Sequence, residues 1–158
     1  MQMLRILSQL DYPMLIVTTT DGRARAGCLV GFASQCSIDP PLLTVWLSRR
    51  NQTARVAAGA SDLLVHFPSE GQRQLAELFG SETGDDVDKF EHCRWEEGPA
   101  GLPLLSDCAN WVAGRIVERA DTGDHVGHLL EPFDGASGPW AGQLGFQSMK
   151  DVEPGHEA

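Results

Sequence analysis

A chain of 158 residues, 42% hydrophobic and 22% charged, has the balance of one globular domain able to bury a core, which excludes a disordered or fibrous chain. Its formal charge of −10, from 12 basic and 22 acidic residues, excludes a nucleic-acid or anionic-lipid surface, since both need clustered Lys and Arg.

The segment Met1 to Leu10 carries Arg5 and Gln9 and soon meets Pro13, unlike a secretory signal, and no run of about eighteen apolar residues is present to span a membrane. The four cysteines (Cys28, Cys36, Cys93, Cys108) contain no CxxC pair. They read as reduced thiols of a cytoplasmic protein, mostly small core residues.

Tyr12 to Thr20 is rich in β-branched residues and stops at Asp21-Gly22, a hairpin signal. In the returning run Ala24, Ala26, Cys28, Val30 and Phe32 share one face, and Arg23, Arg25, Gly27, Leu29 and Gly31 the other. Two glycines on that second face leave room for another body to approach, or else mark a bulge in a curved sheet. After Asp39-Pro40-Pro41 comes a short buried strand, Leu42 to Leu47, then a helix over Thr53 to Ala60 and a strand over Asp62 to Phe67.

Ser69 and Gln72 have capping-box spacing before a helix over Gln72 to Phe79, with Gly80 ending it. Residues 81 to 90 read as an acidic loop with a helical turn near Asp86 to Phe90, and Gly98 to Pro103 as a turn. Two strands, Asn110 to Glu118 and His125 to Phe133, are joined through Asp121 to Asp124; from Asp134 onward the tail shows little periodicity. Many strands with few helices imply a barrel or sandwich, and the lack of GxGxxG or a P-loop argues against a doubly wound nucleotide fold.

Metal chemistry finds little support. His125 and His128, three apart in a strand, point to opposite faces, and His92 beside Cys93 lacks further ligand spacing. No Gly-x-Ser-x-Gly elbow surrounds a serine or cysteine, and Ser34, Cys36 and Ser37 read as small polar residues at a strand end.

The ordered series Asp21-Gly22, Gly27-Cys28-Leu29-Val30-Gly31-Phe32-Ala33 and Cys36-Ser37-Ile38-Asp39-Pro40-Pro41 resembles the FMN-binding split-barrel, flavin-reductase-like family. Leu63 to Gln72, Leu75 to Phe79, Lys89-Phe90, Trp95, Gly101 to Leu105 and Gly123-Asp124-His125 continue the match in order, over roughly Asp11 to Phe133. The resemblance implies a mainly β fold: an antiparallel, Greek-key-like split β-barrel with short flanking helices. One domain spans 1–158, with a core of about 11–133 and an irregular tail over 134–158. It also implies FMN or FAD as cofactor, NADH or NADPH as electron donor, a homodimer, and a partner such as a monooxygenase that receives reduced flavin.

By the same resemblance the flavin contacts fall on Leu29, Val30, Gly31, Phe32, Ala33, Gln35 and Cys36, with His66 and Phe67. Leu29 and Gly31-Phe32 stand where the family often has Thr and Asn-Ser, so backbone groups replace side-chain donors, and His66 replaces an Asn. A phosphate needs N–H groups, hydroxyls or a cation, and Ser48, Arg49, Arg50, Asn51, Gln52 and Thr53 supply them before a helix start; an ordinary helix cap is the plain alternative for Asn51 to Thr53. Asp124 and His125 are implied near the nicotinamide. His125, as the catalytic candidate, shares a strand face with Gly127, whose missing side chain leaves room for a ring. Two alternatives stay open: a non-catalytic flavin carrier or electron-transfer protein of this fold, and a split barrel that has lost flavin.

Overall fold

In the computed structural model, which describes residues 1–81 and 86–152, the chain opens with an exposed helix, α1 (Gln2–Leu7). There follow β1 (Leu15–Thr20), β2 (Arg25–Val30), β3 (Ala33–Ile38), β4 (Pro41–Ser48), α2 (Gln52–Ala57), β5 (Asp62–His66) and α3 (Arg73–Ser81). A small hairpin of β6 (Trp95–Glu97) and β7 (Pro103–Leu105) precedes the two long strands β8 (Trp111–Asp121) and β9 (His125–Ala136). None of the described helices is long and apolar enough to cross a membrane.

One antiparallel sheet runs in the order β2-β1-β5-β8-β9-β4-β3. It curls on itself. Cys28 and Val30 of β2, at one end of that order, share a buried cluster with Val45 and Leu47 of β4, near the other end. The Trp46 N–H donates to the Phe32 carbonyl at 2.9 Å, extending the β3–β4 ladder by one pair, while β2 and β4 meet through side-chain packing. Val17, Leu47, Leu63, Val65 and Leu130 are fully buried inside it, and each such side chain contributes about 1.5–3 kcal/mol.

The hairpin between β1 and β2 follows from its residues. Asp21 Oδ1 accepts from the N–H groups of Arg23 and Ala24, both at 2.8 Å, and Gly22 takes φ 90°, which a side chain would strain. The apolar run of β1 has no polar face because both sides are covered. Leu15 and Val17 enter the barrel, while Ile16 joins Phe79, Phe90 and Leu105 outside it.

Helix α3 lies over β2, and it corrects two expectations. A Cβ on Gly27 would sit 2.7 Å from the Phe79 ring, so the open face of β2 is filled there by the chain's own helix. Gly80 does not end α3, which runs on to Ser81; Leu29 packs where a Cβ on Gly80 would lie, 2.7 Å from it. The expected capping box does form: Ser69 N–H donates to Gln72 Oε1 at 3.0 Å. The buried Lys89 ammonium donates to the Gly27 and Phe79 carbonyls at 2.9 and 3.1 Å, tying a 3-10 turn at Lys89–Glu91 to β2 and α3.

Three segments differ from expectation. Ala33–Ile38 is a strand, pairing with β4 across a bulge between Gln35 and Ser37, although most of its side chains are exposed. The strand β9 runs to Ala136, and the tail beyond it is integral: Leu144 and Met149 are buried with Met14 and Ala76, and Gly145 bridges to Pro13. Of the expected acidic loop, residues 82–85 lie outside the described residues.

Candidate functional site

A cleft of about 400 Å³ opens beside the barrel seam, between the end of β2, the face of β4 that carries Trp46 and Ser48, the first residue of β9 and the tail. Its polar content is small. A row of rings crosses it: His125 to Phe32 at 5.0 Å between centroids, Phe32 to Tyr12 at 5.6 Å, and Tyr12 to Phe146 at 5.9 Å. The Ser48 hydroxyl is buried in the wall with no hydrogen-bond partner among the described residues. A buried hydroxyl without a partner is unfavourable by about 1–3 kcal/mol, so the site carries an unmet polar demand.

A second hollow, about 330 Å³, adjoins the first and is lined by Phe32, Trp46, Thr122, Gly123, Asp124 and His125. Phe32, Trp46 and His125 line both hollows, so the two adjoin along these residues. The β8–β9 turn that presents His125 is fixed from outside by Arg49. Arg49 Nε donates to the Gly123 carbonyl at 2.8 Å and Nη2 to the Thr122 carbonyl at 2.6 Å; the guanidinium also pairs with Asp121, and the Arg49 N–H donates to the Asp124 carbonyl at 3.0 Å. The Asp124 carboxylate lies 2.7 Å from His125 Nδ1. That hydrogen bond holds the Asp124 carboxyl below the usual carboxylate range, and the nearby Arg49 charge adds to it. Asp124 is thus an anion that fixes the imidazole and leaves His125 Nε2 for an outside partner.

The residues expected at the cofactor do not all meet. Leu29, Val30, Gly31, Phe32, Ser48, Asn51 and His125 line the first cleft. Ala33, Gln35 and Phe67 line a different apolar hollow, together with Trp140. Cys36 stands exposed on β3. Arg50 is exposed before α2, its carbonyl accepting from Arg55 Nη1 at 3.4 Å. Asn51 acts as the helix cap, Oδ1 accepting from the Thr53 N–H at 3.0 Å. The Thr53 side chain is fully buried and, like Ser48, its hydroxyl has no hydrogen-bond partner among the described residues, while burial raises the pKa of the nearby Cys28 thiol.

His66 is corrected to a structural role. It has no exposure; its Nδ1 meets the Ile16 carbonyl at 3.0 Å and its Nε2 accepts the Leu105 N–H at 3.0 Å, so it brackets β1 to β7. Burial lowers its pKa to about 4 and keeps it neutral. The room expected at Gly127 is also taken: a Cβ there would lie 2.7–2.9 Å from the Trp46 indole. His128, beyond it, is buried and held low by that burial. Among the described residues no group of three or more His, Cys, Asp or Glu is placed to hold a metal ion.

Sequence reasoning missed Trp46, Tyr12 and the tail residues Phe146 and Met149 as cleft walls. For Trp46 a signal existed. Period-two alternation puts it on the same face of β4 as Ser48, opposite the core residues Val45 and Leu47.

The sequence pattern of the family described as "Flavin reductase like domain" matches residues 7–137. A probable flavin reductase of Rhizobium meliloti (strain 1021) is 30% identical over 115 residues, 70% of this chain and 35% of that protein. An FMN reductase (NADH) RutF of Variovorax paradoxus (strain S110) is 32% identical over 110 residues, 69% of this chain and 61% of the relative. The chain therefore spans less than two thirds of the length of these curated relatives. Among solved structures, a flavin reductase domain protein from Arthrobacter sp. FB24 superposes with a TM-score of 0.83 at 22% identity, over 92% of this chain and 89% of that one.

Proposed function

Because the chain belongs to the flavin reductase like family, we propose that it is an NAD(P)H-dependent flavin reductase acting on FMN or FAD. The observation that carries this reading is the apolar cleft with its row of rings and the unpartnered Ser48 hydroxyl in its wall. A flat, mostly apolar ring system with a polar tail suits such walls. The names of the relatives, an NADH-dependent FMN reductase among them, support the electron donor and the acceptor.

When bound, the flavin supplies a ring that takes a hydride from a nicotinamide and passes the electrons on. The protein's part is placement. Phe32, Trp46 and Tyr12 form the apolar walls, and Leu29 to Gly31 at the end of the edge strand β2 run along the ring edge. Ser48 and Asn51 stand toward the polar tail. His125, held by Asp124 and shared by both hollows, orients the nicotinamide in the second hollow against the ring in the first and can hold a proton there. A reduced flavin released from an open cleft needs a consumer, so a flavin-dependent monooxygenase is the partner proposed. A homodimer, in which the exposed edge strand β3 gains cover, completes the reading.

The test is a fluorescence titration of the purified protein with FMN and FAD, followed by anaerobic stopped-flow reduction with NADH and NADPH. Saturable flavin binding and reduction are expected, with His125→Ala reducing flavin roughly ten- to a hundredfold more slowly at unchanged melting temperature. Binding without reduction by either nucleotide would favour the flavin-carrier reading instead.

A further inference from the structure

The family pattern ends at residue 137, yet part of the ring-lined cleft comes from the chain beyond it: Phe146, Met149, Lys150 and Val152 all line it. This tail is held at several points. The Phe146 N–H donates to the Tyr12 carbonyl at 2.7 Å, and Met149 is buried with Met14 and Ala76. Arg73 of α3 grips the chain on both sides of Lys150. Its Nη1 donates to the Ser148 carbonyl at 2.6 Å and its Nη2 to Asp151 Oδ1 at 2.9 Å. Glu77, one turn along the helix, fixes that guanidinium in turn, accepting from Arg73 Nε at 2.8 Å. Contacts on either side thus set Lys150 at the cleft.

Charge separates Lys150 from the rest of the wall. The described residues lining the cleft include no Arg, Asp or Glu and no second Lys. The basic pair that the sequence offers lies elsewhere: Arg49 is committed to the β8–β9 turn, and Arg50 does not line the cleft. Asp151, the acid next to Lys150, is engaged by Arg73. One positive charge therefore stands at an apolar wall, in a chain whose formal charge is −10. Beside such a wall two charges interact through a lower dielectric than that of water.

Position tells which part of a ligand this charge serves. Met149 shares a cluster with Met14 and Leu29, on the face of β2 opposite Cys28 and Val30, which point into the barrel. Ser48 and Asn51, assigned to the polar tail of the ligand, stand instead where β4 runs into α2. Lys150 belongs to the ring end.

Resting on the flavin-reductase reading above, we propose that Lys150 is the counter-charge for the reduced flavin ring, so that the cleft holds reduced flavin more tightly than it would with a neutral side chain there. A hydride carries two electrons and one proton. The ring that accepts it gains one negative charge, the nicotinamide that gives it gains one positive charge, and the ring keeps its charge until a second proton arrives. A cation already in place at the ring stabilises that charge without reorganising.

Lys150→Met keeps most of the length of the side chain and removes its charge, at an exposed position where folding is not at risk. Lys150→Arg keeps the charge. Fluorescence titration gives the affinity for oxidised riboflavin and FMN, and reduction against a reference dye gives the midpoint potential of each bound flavin. In Lys150→Met the affinity for reduced flavin is expected to fall about tenfold while that for oxidised flavin holds, which for two electrons lowers the midpoint potential by about 30 mV. Riboflavin and FMN should show the same shift, and Lys150→Arg should stay near wild type. An unchanged potential overturns the proposal. Equal losses for oxidised and reduced flavin overturn it as well, making Lys150 part of the wall only. A loss confined to FMN, with riboflavin untouched, assigns Lys150 to the phosphate and is again contrary. If wild type binds neither flavin in either state, the parent reading of the cleft fails and takes the proposal with it, an outcome distinct from binding that is indifferent to Lys150.

Discussion

At the scale of single residues, Ser48 makes the sharpest prediction. Its hydroxyl is buried in the wall of the ring-lined cleft without a partner among the described residues. Ser48→Ala removes an unmet polar group, so the melting temperature should hold or rise. If that hydroxyl serves a bound flavin, the same change should weaken flavin binding roughly five- to tenfold, about 1 kcal/mol, by the usual worth of one neutral hydrogen bond. Stability and affinity would then move in opposite directions. A fluorescence titration beside a melting curve reads both, and unchanged affinity would leave Ser48 a packing residue. The neighbouring Arg49 shows why residue type alone did not locate the site. It sits in a polar run that reads as phosphate-binding, yet its guanidinium is spent on the Asp121–Gly123 turn, a partner more than seventy residues away in sequence.

Among the elements, the β8–β9 turn and α3 each carry a test. Arg49→Met keeps the length of the side chain but removes the donors that reach the Thr122 and Gly123 carbonyls. The turn that aims Asp124 and His125 should loosen, raising the KM for NAD(P)H several-fold while flavin affinity stays level; Arg49→Lys should restore part of the loss. A KM that rises together with a fall in flavin affinity would mean that Arg49 supports the whole cleft. Over β2, Gly27→Ala pushes a methyl group to 2.7 Å from the Phe79 ring, which is itself buried and boxed in by Phe90. Overpacking of this kind is unfavourable by about 1–3 kcal/mol, readable as a lower urea midpoint.

The elements were unevenly legible in the sequence. Strands β1, β2, β4, β5, β8 and β9 announced themselves by apolar runs and turn residues, with ends off by a few positions. Strand β3 did not. Ala33–Ile38 carries mostly exposed side chains, so no hydrophobic period betrays it, and its pairing with β4 is a matter of backbone. The tail was illegible for another reason: Leu144 and Met149 find Met14 and Ala76, contacts between chain ends that no local window contains. His125 and the Leu29 to Phe32 stretch were placed at the cleft, but Ala33 and Gln35 of β3 and Phe67 after β5 line another hollow, past Phe32 where the cleft-lining run ends.

For the whole molecule, the acid limb of stability should be set largely by His66. Its folded pKa is lowered to about 4 by burial, against an ordinary value of 6.5 in the unfolded chain. The neutral ring is the form that bridges Ile16 and Leu105. Between these two values the unfolded chain binds the proton and the folded one does not, so stability is complete above about pH 6.5 and falls as pH drops toward 4. The loss is on the order of 3 kcal/mol over that window. Urea unfolding at pH 7, 5.5 and 4.5 should show it, and His66→Gln, weaker at pH 7, should flatten the dependence. A wild-type curve already flat from pH 7 to 4.5 would show that the ring protonates without unfolding.

The indole of Trp46, laid over Gly127 and forming a wall of two hollows at once, bears on how such a protein can change over generations. A smaller ring at position 46 uncovers Gly127 and enlarges both hollows in one step; a larger side chain at Gly127 displaces the indole into both. Retuning what one hollow admits therefore alters the other, and a lineage drifting toward a new ligand on one side inherits a changed preference on the second. Selection acting on either ligand would be felt at the same two positions, so the pair Trp46 and Gly127 should vary together or not at all.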